Sequence, residues 1–279
     1  MKTIVFDKMH GAGNDYVYVD ARHGGIERPE SLAVKISDRH FGVGSDGLVL
    51  ITKSEAADFG MRMFNADGSE AGMCGNASRC VGRYVYEKGL TDKTEITLET
   101  LSGIKTLTLK LRDRIVEEVS VGMGAPELEA ARIPVLSPNP QHLPIVAEGE
   151  QLLLTCVSMG NPHAVAFVEN VERYDVERIG LAVEHHPFFP ARTNVEFVQV
   201  VSPSHLRMRV WERGSGETLA CGTGACAALV VSALTGKAGR KAVVSLKGGD
   251  VEVEWSEETN RVTLTGGAEW VFRGEYFID

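Results

Sequence analysis

Residues 61–76, MRMFNADGSEAGMCGN, and residues 208–223, MRVWERGSGETLACGT, align without a gap at an offset of 147 positions. Met61 then falls on Met208, Arg62 on Arg209, Glu70 on Glu217, Cys74 on Cys221 and Gly75 on Gly222. The same offset puts Gly13-Asn14 on Gly160-Asn161, Phe41 on Phe188 and Gly89 on Gly236. It is slightly more than half of the 279 residues, so the chain reads as a duplicated unit with one cysteine per copy, each at a Gly-rich turn. Two equivalent cysteines on a pseudo-symmetric scaffold could handle a proton from both faces of one carbon, which is the chemistry of a racemase or epimerase.

The residue pattern places elements on this plan. Runs 3–6 and 16–20 are β-branched and aromatic and read as strands, as do 48–52 and 61–64. Pro29 opens a helix through about residue 39, its missing N–H costing nothing at an early helical position. Val81, Tyr84 and Val85 follow helical spacing after Cys74, with Gly89 as the stop, and 95–121 alternates like a strand pair turning near Ser102-Gly103. The second copy repeats this: strands near 152–158, 164–168 and 195–201, helices near 174–185 and 223–235, and closing strands at 242–246, 250–255 and 261–265. The segment 124–144 holds five of the ten prolines and reads as an extended surface crossover. The first domain is taken as 1–121 plus 267–279 and the second as 122–266.

Composition sets limits. Hydrophobic residues make up 43% and charged residues 24%, as in ordinary globular proteins. A net charge of −9 argues against nucleic acid or an anionic membrane as partner, and no apolar run approaches the roughly 18 residues of a spanning helix. Asp7 and His10 interrupt what a signal peptide would need as an apolar core, and five cysteines are a poor disulfide framework, so a reducing cytoplasm is expected. Gly42-Val43-Gly44-Ser45-Asp46-Gly47 matches G-x-G-x-x-G, but that fingerprint requires a helix to open at it, and here strand-like LVLIT follows. A tight glycine turn is the better reading. Cys74 and Cys80, or Cys221 and Cys226, lack zinc-site spacing, and His10 and His163 are read as hydrogen-bonding rather than ligating residues. No metal and no cofactor are expected.

Free cysteines are usually small buried hydrophobes, and Cys80, Cys156 and Cys226 take that reading. Cys74 and Cys221 differ, because each immediately precedes a helix start rich in small residues, CGNAS and CGTGA. The positive end of a helix dipole favours thiolate, so a lowered thiol pKa is expected at both. The unpaired N–H groups of Gly75, Asn76, Gly222 and Thr223 can cradle a carboxylate.

These residues resemble diaminopimelate epimerases, the pyridoxal-phosphate-independent enzymes that interconvert LL- and meso-diaminopimelate. MHGAGNDYV, FNADGSEAGMCGN, VSMGNPHAV, RTNVEF and ERGSGETLACGTGACA all lie in that family's order and span most of the chain. The resemblance implies an α/β fold of two similar domains with mixed sheets and the active site in the cleft between them. It implies Cys74 and Cys221 as the acid/base pair, with His163 and Glu212 tuning them. Asn14, Asn65, Asn161, Asn194, Glu212 and Arg213 would hold an amino-acid substrate, while Gly75-Asn76 and Gly222-Thr223 grip its carboxylate. A homodimer is also implied. Gly47 departs from family members that have glutamine there, and Ala77-Ser78 replaces the more usual Gly-Ala. The alternatives are an epimerase of another amino acid, which would not need the polar residues for a distal amino-acid group, and a non-catalytic binding or redox-sensing relative, in which both thiols would titrate as ordinary ones.

Overall fold

The computed structural model describes residues 2–278 and divides into two compact units. One runs to Val121 and resumes at Gly266, and the other is Gly122–Thr265. Among the described residues no helix is long and apolar enough to cross a membrane.

In the first unit, β1 (Lys2–Gly11) and β2 (Asn14–Asp20) form a hairpin. Its two turn residues, Ala12 and Gly13, both have positive φ, the geometry whose twist matches that of the flanking strands. Helix α1 (Pro29–Ser37) starts on its proline and buries Leu32, Ala33 and Ile36. Next come β3 (Gly47–Thr52), β4 (Phe59–Asn65), the short β5 (Glu70–Ala71) and helix α2 (Gly75–Glu87). Strands β6 (Glu95–Thr100), β7 (Gly103–Arg112) and β8 (Ile115–Gly124) follow as a meander. The pattern over 95–121 is therefore three strands rather than two. The second turn, Asp113-Arg114, has positive φ at both residues but contains no glycine to mark it.

In the second unit, β9 (Leu143–Ala147) precedes β10 (Glu150–Ser158) and β11 (Pro162–Phe167), a 3₁₀ turn at Val171–Arg173 and helix α3 (Val176–Glu184). Strands β12 (Asn194–Ser202), β13 (His205–Glu212) and short β14 (Gly216–Glu217) lead to helix α4 (Gly222–Leu234). Strands β15 (Lys241–Leu246), β16 (Gly249–Trp255) and β17 (Val262–Gly266) close it, and β18 (Glu269–Ile278) ends the chain.

The duplication appears in the strand order. In the first unit β18, β1, β2, β3, β4 and β6 are successive neighbours, with β2–β3 and β4–β6 parallel and the other neighbours antiparallel. In the second, β9, β10, β11, β12, β13 and β15 repeat that order, with β11–β12 and β13–β15 parallel. Helices α2 and α4 each have 13 residues, and just past the C-cap of each stands a positive-φ glycine, Gly89 (φ 68°) and Gly236 (φ 69°). Their N–H groups close the last turn onto Tyr86 O and Ala233 O.

One further expectation changes. Segment 124–144 is not a surface crossover: Ile133, Val135 and Leu143 are buried in the second unit's core, and β9 grows out of it directly. The C-terminal segment assigned to the first domain supplies β18, which pairs along β1 from Lys2↔Ile278 to His10↔Glu269, in the place that β9 takes beside β10.

Candidate active site

Each cysteine is delivered by the same device. Strand β4 hands over to β5, pinned by Arg62 Nε on Glu70 Oε1 at 2.7 Å. Strand β13 hands over to β14, pinned by Arg209 Nε on Glu217 Oε1 at 2.7 Å. Both pairs are bidentate, the second bonds being 3.1 and 3.0 Å, a geometry that fixes direction as well as distance. The chain then enters the helix with the cysteine as N-cap in extended backbone, Cys74 at φ −135° and Cys221 at φ −122°. The first intrahelical bonds are Ser78 N to Cys74 O and Ala225 N to Cys221 O, both 2.9 Å. The N–H groups before them, including those of Gly75, Asn76, Gly222 and Thr223, precede the helical ladder, as helix starts require.

Around Cys74 the partners are amides. Its Sγ donates to Asn14 Oδ1 at 3.3 Å, and Asn76 Nδ2 donates to the same oxygen at 3.2 Å. Asn14 Nδ2 donates to Asp46 Oδ2 at 2.7 Å. Asn65, at the end of β4, turns away into its own loop, with Nδ2 on Ser69 Oγ at 3.0 Å. His10 accepts from Gly13 N at 3.3 Å, a hairpin role.

Around Cys221 the partners are charged. Its Sγ accepts from Gly224 N at 3.4 Å and lies 3.5 Å from Thr223 Oγ1. Burial drives the Cys221 thiol well above its ordinary pKa, and the carboxylates of Glu212 and Glu196 push it further. The lowered pKa expected from the helix start is thus reversed at Cys221: desolvation and two nearby negative charges outweigh the dipole and the Gly224 N–H. Glu212 itself is pushed up by burial, against hydrogen bonds from Thr218 and Cys221. His163, fully buried on β11, has Nδ1 2.7 Å from Glu196 Oε1 and Nε2 3.0 Å from Asn161 Oδ1. Asn194, its register partner on β12, donates from Nδ2 to Pro162 O at 2.8 Å and accepts at Oδ1 from Arg213 N at 2.9 Å. Arg213 Nη1 donates to Ala191 O at 2.8 Å.

Three residues of these clusters were not read from the sequence. Glu196 sits in a β-branched strand where nothing marks an inward carboxylate, yet it is fully buried. Asp46 lies in the Gly-rich run, and Thr218 looks like a loop residue. The offset would have singled out Glu196, since Val49 holds its place in the first copy. Gly224 makes room for it: a Cβ there would stand 2.8 Å from Glu196 Oε1 and 3.3 Å from Cys221 Sγ. The first copy, with no carboxylate to admit, carries Ala77 at that place.

The profile of the diaminopimelate epimerase family matches residues 6–129 and 155–271. The chain belongs to the diaminopimelate epimerase family. Diaminopimelate epimerase from Acetivibrio thermocellus is 57% identical over 272 residues, 97% of each chain. The protein of that name from Methanococcus maripaludis is 57% identical over 275 residues, covering 98% of this chain and 99% of its own. In fold, the chain resembles a phenazine biosynthesis protein of the PhzF family from Bacillus anthracis, with a TM-score of 0.74 at 21% identity over the whole of both chains.

Gly47 and Ala77-Ser78 both sit in close-packed surroundings. Gly47 pairs with Asn65 across β3–β4, and a Cβ on it would lie 2.1 Å from Phe64 O and 2.9 Å from Tyr16 Cε1. A glutamine there requires the backbone to move. Ala77-Ser78 lie within α2, both fully buried, and Ser78 Oγ donates to Cys74 O at 2.9 Å, reinforcing the cap.

Proposed function

We propose that this chain epimerises LL-diaminopimelate to meso-diaminopimelate at the α-carbon without a cofactor, supplying lysine and peptidoglycan precursor synthesis, with Cys74 and Cys221 as the acid/base pair. The observation that carries the reading is the matched placement of two cysteines, each the N-cap of a 13-residue helix behind the same Arg–Glu staple.

An amino-acid Cα–H is a very weak acid, so the barrier must be lowered by positioning, exclusion of water and fixed dipoles. One sulfur, as thiolate, removes the proton from one face while the other, as thiol, delivers a proton to the opposite face. Burial with Glu212 and Glu196 favours the thiol at Cys221, which suits it to proton delivery in the ligand-free enzyme. The N–H groups of Gly75, Asn76, Gly222 and Thr223 stabilise charge building on the substrate carboxylate, as helix N-termini do for anions. Asn14, Asn65, Asn161, Asn194, Glu212 and Arg213 bind the rest of the substrate, the guanidinium and the carboxylate suiting a zwitterionic distal end. His163 holds Glu196 and Asn161 in place beside this set and tunes Cys221 with Glu212. The protein acts in the cytoplasm as a homodimer on this reading.

The test is incubation of purified protein with LL-diaminopimelate and chiral separation of the products. Accumulation of meso-diaminopimelate without additions is expected. No interconversion, or interconversion only with added pyridoxal phosphate, overturns the reading.

A further inference from the structure

We infer that Asp46 is a positioning residue for the Cys74 proton, locking the Asn14 amide so that its carbonyl oxygen, not its NH₂, faces the sulfur. A carboxylate oxygen can only accept, so Asp46 Oδ2 at 2.7 Å from the Asn14 amide fixes which end is Nδ2. The other end, Oδ1, must then face Cys74 Sγ at 3.3 Å. An acceptor there favours S–H over S⁻. The helix start at Cys74 pulls the other way, so the locked amide opposes the dipole and makes the thiolate, once formed, a stronger base towards carbon.

The lock is itself held. Parallel pairing of β2 and β3 sets Tyr16 beside Gly47, and Asp46 N donates to Asp15 O at 2.8 Å while Ala66 N donates to Asp46 O at 3.0 Å. Asp46 Oδ2 also accepts from Asp15 N at 3.1 Å, and Oδ1 accepts from Arg39 Nη2 at 2.9 Å. Arg39 reaches Asp15 Oδ1 at 2.9 Å, and the buried Lys8 ammonium holds Asp15 Oδ2 at 2.5 Å. The second copy has no such lock: Thr193 replaces Asp46, and Asn161 is turned to His163 instead. The ionisable groups within electrostatic reach of Cys74 include Tyr18 on β2 and Cys80 on α2. Both are fully buried, Tyr18 pushed well above 10 and Cys80 up to about 12, so neither changes charge near neutrality.

The test is the pH profile of alkylation at each cysteine, measured by iodoacetamide labelling and peptide mass spectrometry without substrate. Asp46→Ala frees the amide to offer Nδ2 to the thiolate. Cys74 should then label about tenfold faster at pH 7, equivalent to a fall of about one pKa unit for one hydrogen bond exchanged at a charged group. Cys221 labelling should not move. Asp46→Asn keeps an oxygen that can accept from Asn14 and Asp15 N–H, so it should retain most of the wild-type profile. In an Asn14→Ala background, Asp46→Ala should produce no further shift, because the two act as one unit. An unmoved Cys74 profile in Asp46→Ala overturns the inference. A shift in Asp46→Asn as large as in Asp46→Ala does so too, because the cause is then charge alone. Labelling of buried Cys80 in Asp46→Ala means that Asp46 holds the fold rather than the amide, and also counts against it. The catalytic consequence rests on Cys74 being an acid/base residue. The labelling does not, so its failure and that of the proposed function are separable.

Discussion

Replacing Gly224 with alanine sets two calculable effects against each other. Within a helix the change normally stabilises by about 0.8–1 kcal/mol, because glycine forfeits more backbone entropy on folding. Here the new methyl would stand 2.8 Å from Glu196 Oε1 and 3.3 Å from Cys221 Sγ. Glu196 is fully buried and its Oε1 lies 2.7 Å from His163 Nδ1, so it cannot swing aside into solvent as a surface carboxylate would. Displacing it loses a charged hydrogen bond of about 1.5–3 kcal/mol. The net expectation for Gly224→Ala is a loss of about 1–2 kcal/mol, and each kcal/mol is about 2–4 °C in Tm for a chain of this size. Activity should fall as well, since one of the carboxylates that hold the Cys221 proton is moved. Calorimetry with an epimerisation assay reads both. The mirror change, Ala77→Gly, has no carboxylate beside it and should cost about 1 kcal/mol from helix propensity alone. Equal or higher Tm with full activity in Gly224→Ala would refute the reasoning.

Three further outcomes are expected. Cys156, pushed by burial from 9.0 up to about 12, keeps its proton in the folded chain after the unfolded chain has lost it. Stability should therefore fall as pH rises above about 9, by about 1.4 kcal/mol per pH unit for each such thiol. Cys156→Ala should reduce that slope in urea unfolding by one such step, and an unchanged slope would contradict the assignment. Arg213→Lys should impair diaminopimelate turnover far more than a surface Arg→Lys change, because an ammonium cannot hold a carboxylate through two parallel bonds; wild-type kinetics would remove Arg213 from the site. Exhaustive dialysis against chelator should leave epimerisation intact, and loss restored by a metal ion would contradict the cofactor-free chemistry.

Much of the plan was legible because duplication writes it twice. One offset, read from identical residues, lands on helices α1 and α3, on α2 and α4, and on the cysteine at the head of each second helix. Glycine marked the helix stops because only the left-handed region closes those turns cheaply. The turn at Asp113-Arg114 stayed hidden because ordinary residues occupy that same region there. Strand β9 stayed hidden because Pro144 lies within it, and proline argues against a strand except at an edge, which is where β9 pairs. Glu196 and Asp46 escaped notice for a different reason. Their chemistry depends on what faces them across the β11–β12 and β2–β3 pairings, and periodicity records the facing pattern of one strand but not its neighbour's side chains. The pKa of Cys221 went the wrong way in the sequence reading for the same cause: the helix start is written locally, whereas Glu212 and Glu196 arrive from other strands.

The central claim is that two sulfurs, not one, move the proton, and isotope incorporation in D₂O tests it most directly. Each exchangeable thiol becomes S–D, and the group that removes substrate hydrogen is not the group that supplies the new one. Starting from one isomer, product sampled over the first turnovers should carry deuterium at the epimerised carbon while recovered substrate carries almost none. Product that retains the original hydrogen, with label washing early into substrate, would mean a single base serving both faces and would contradict the account.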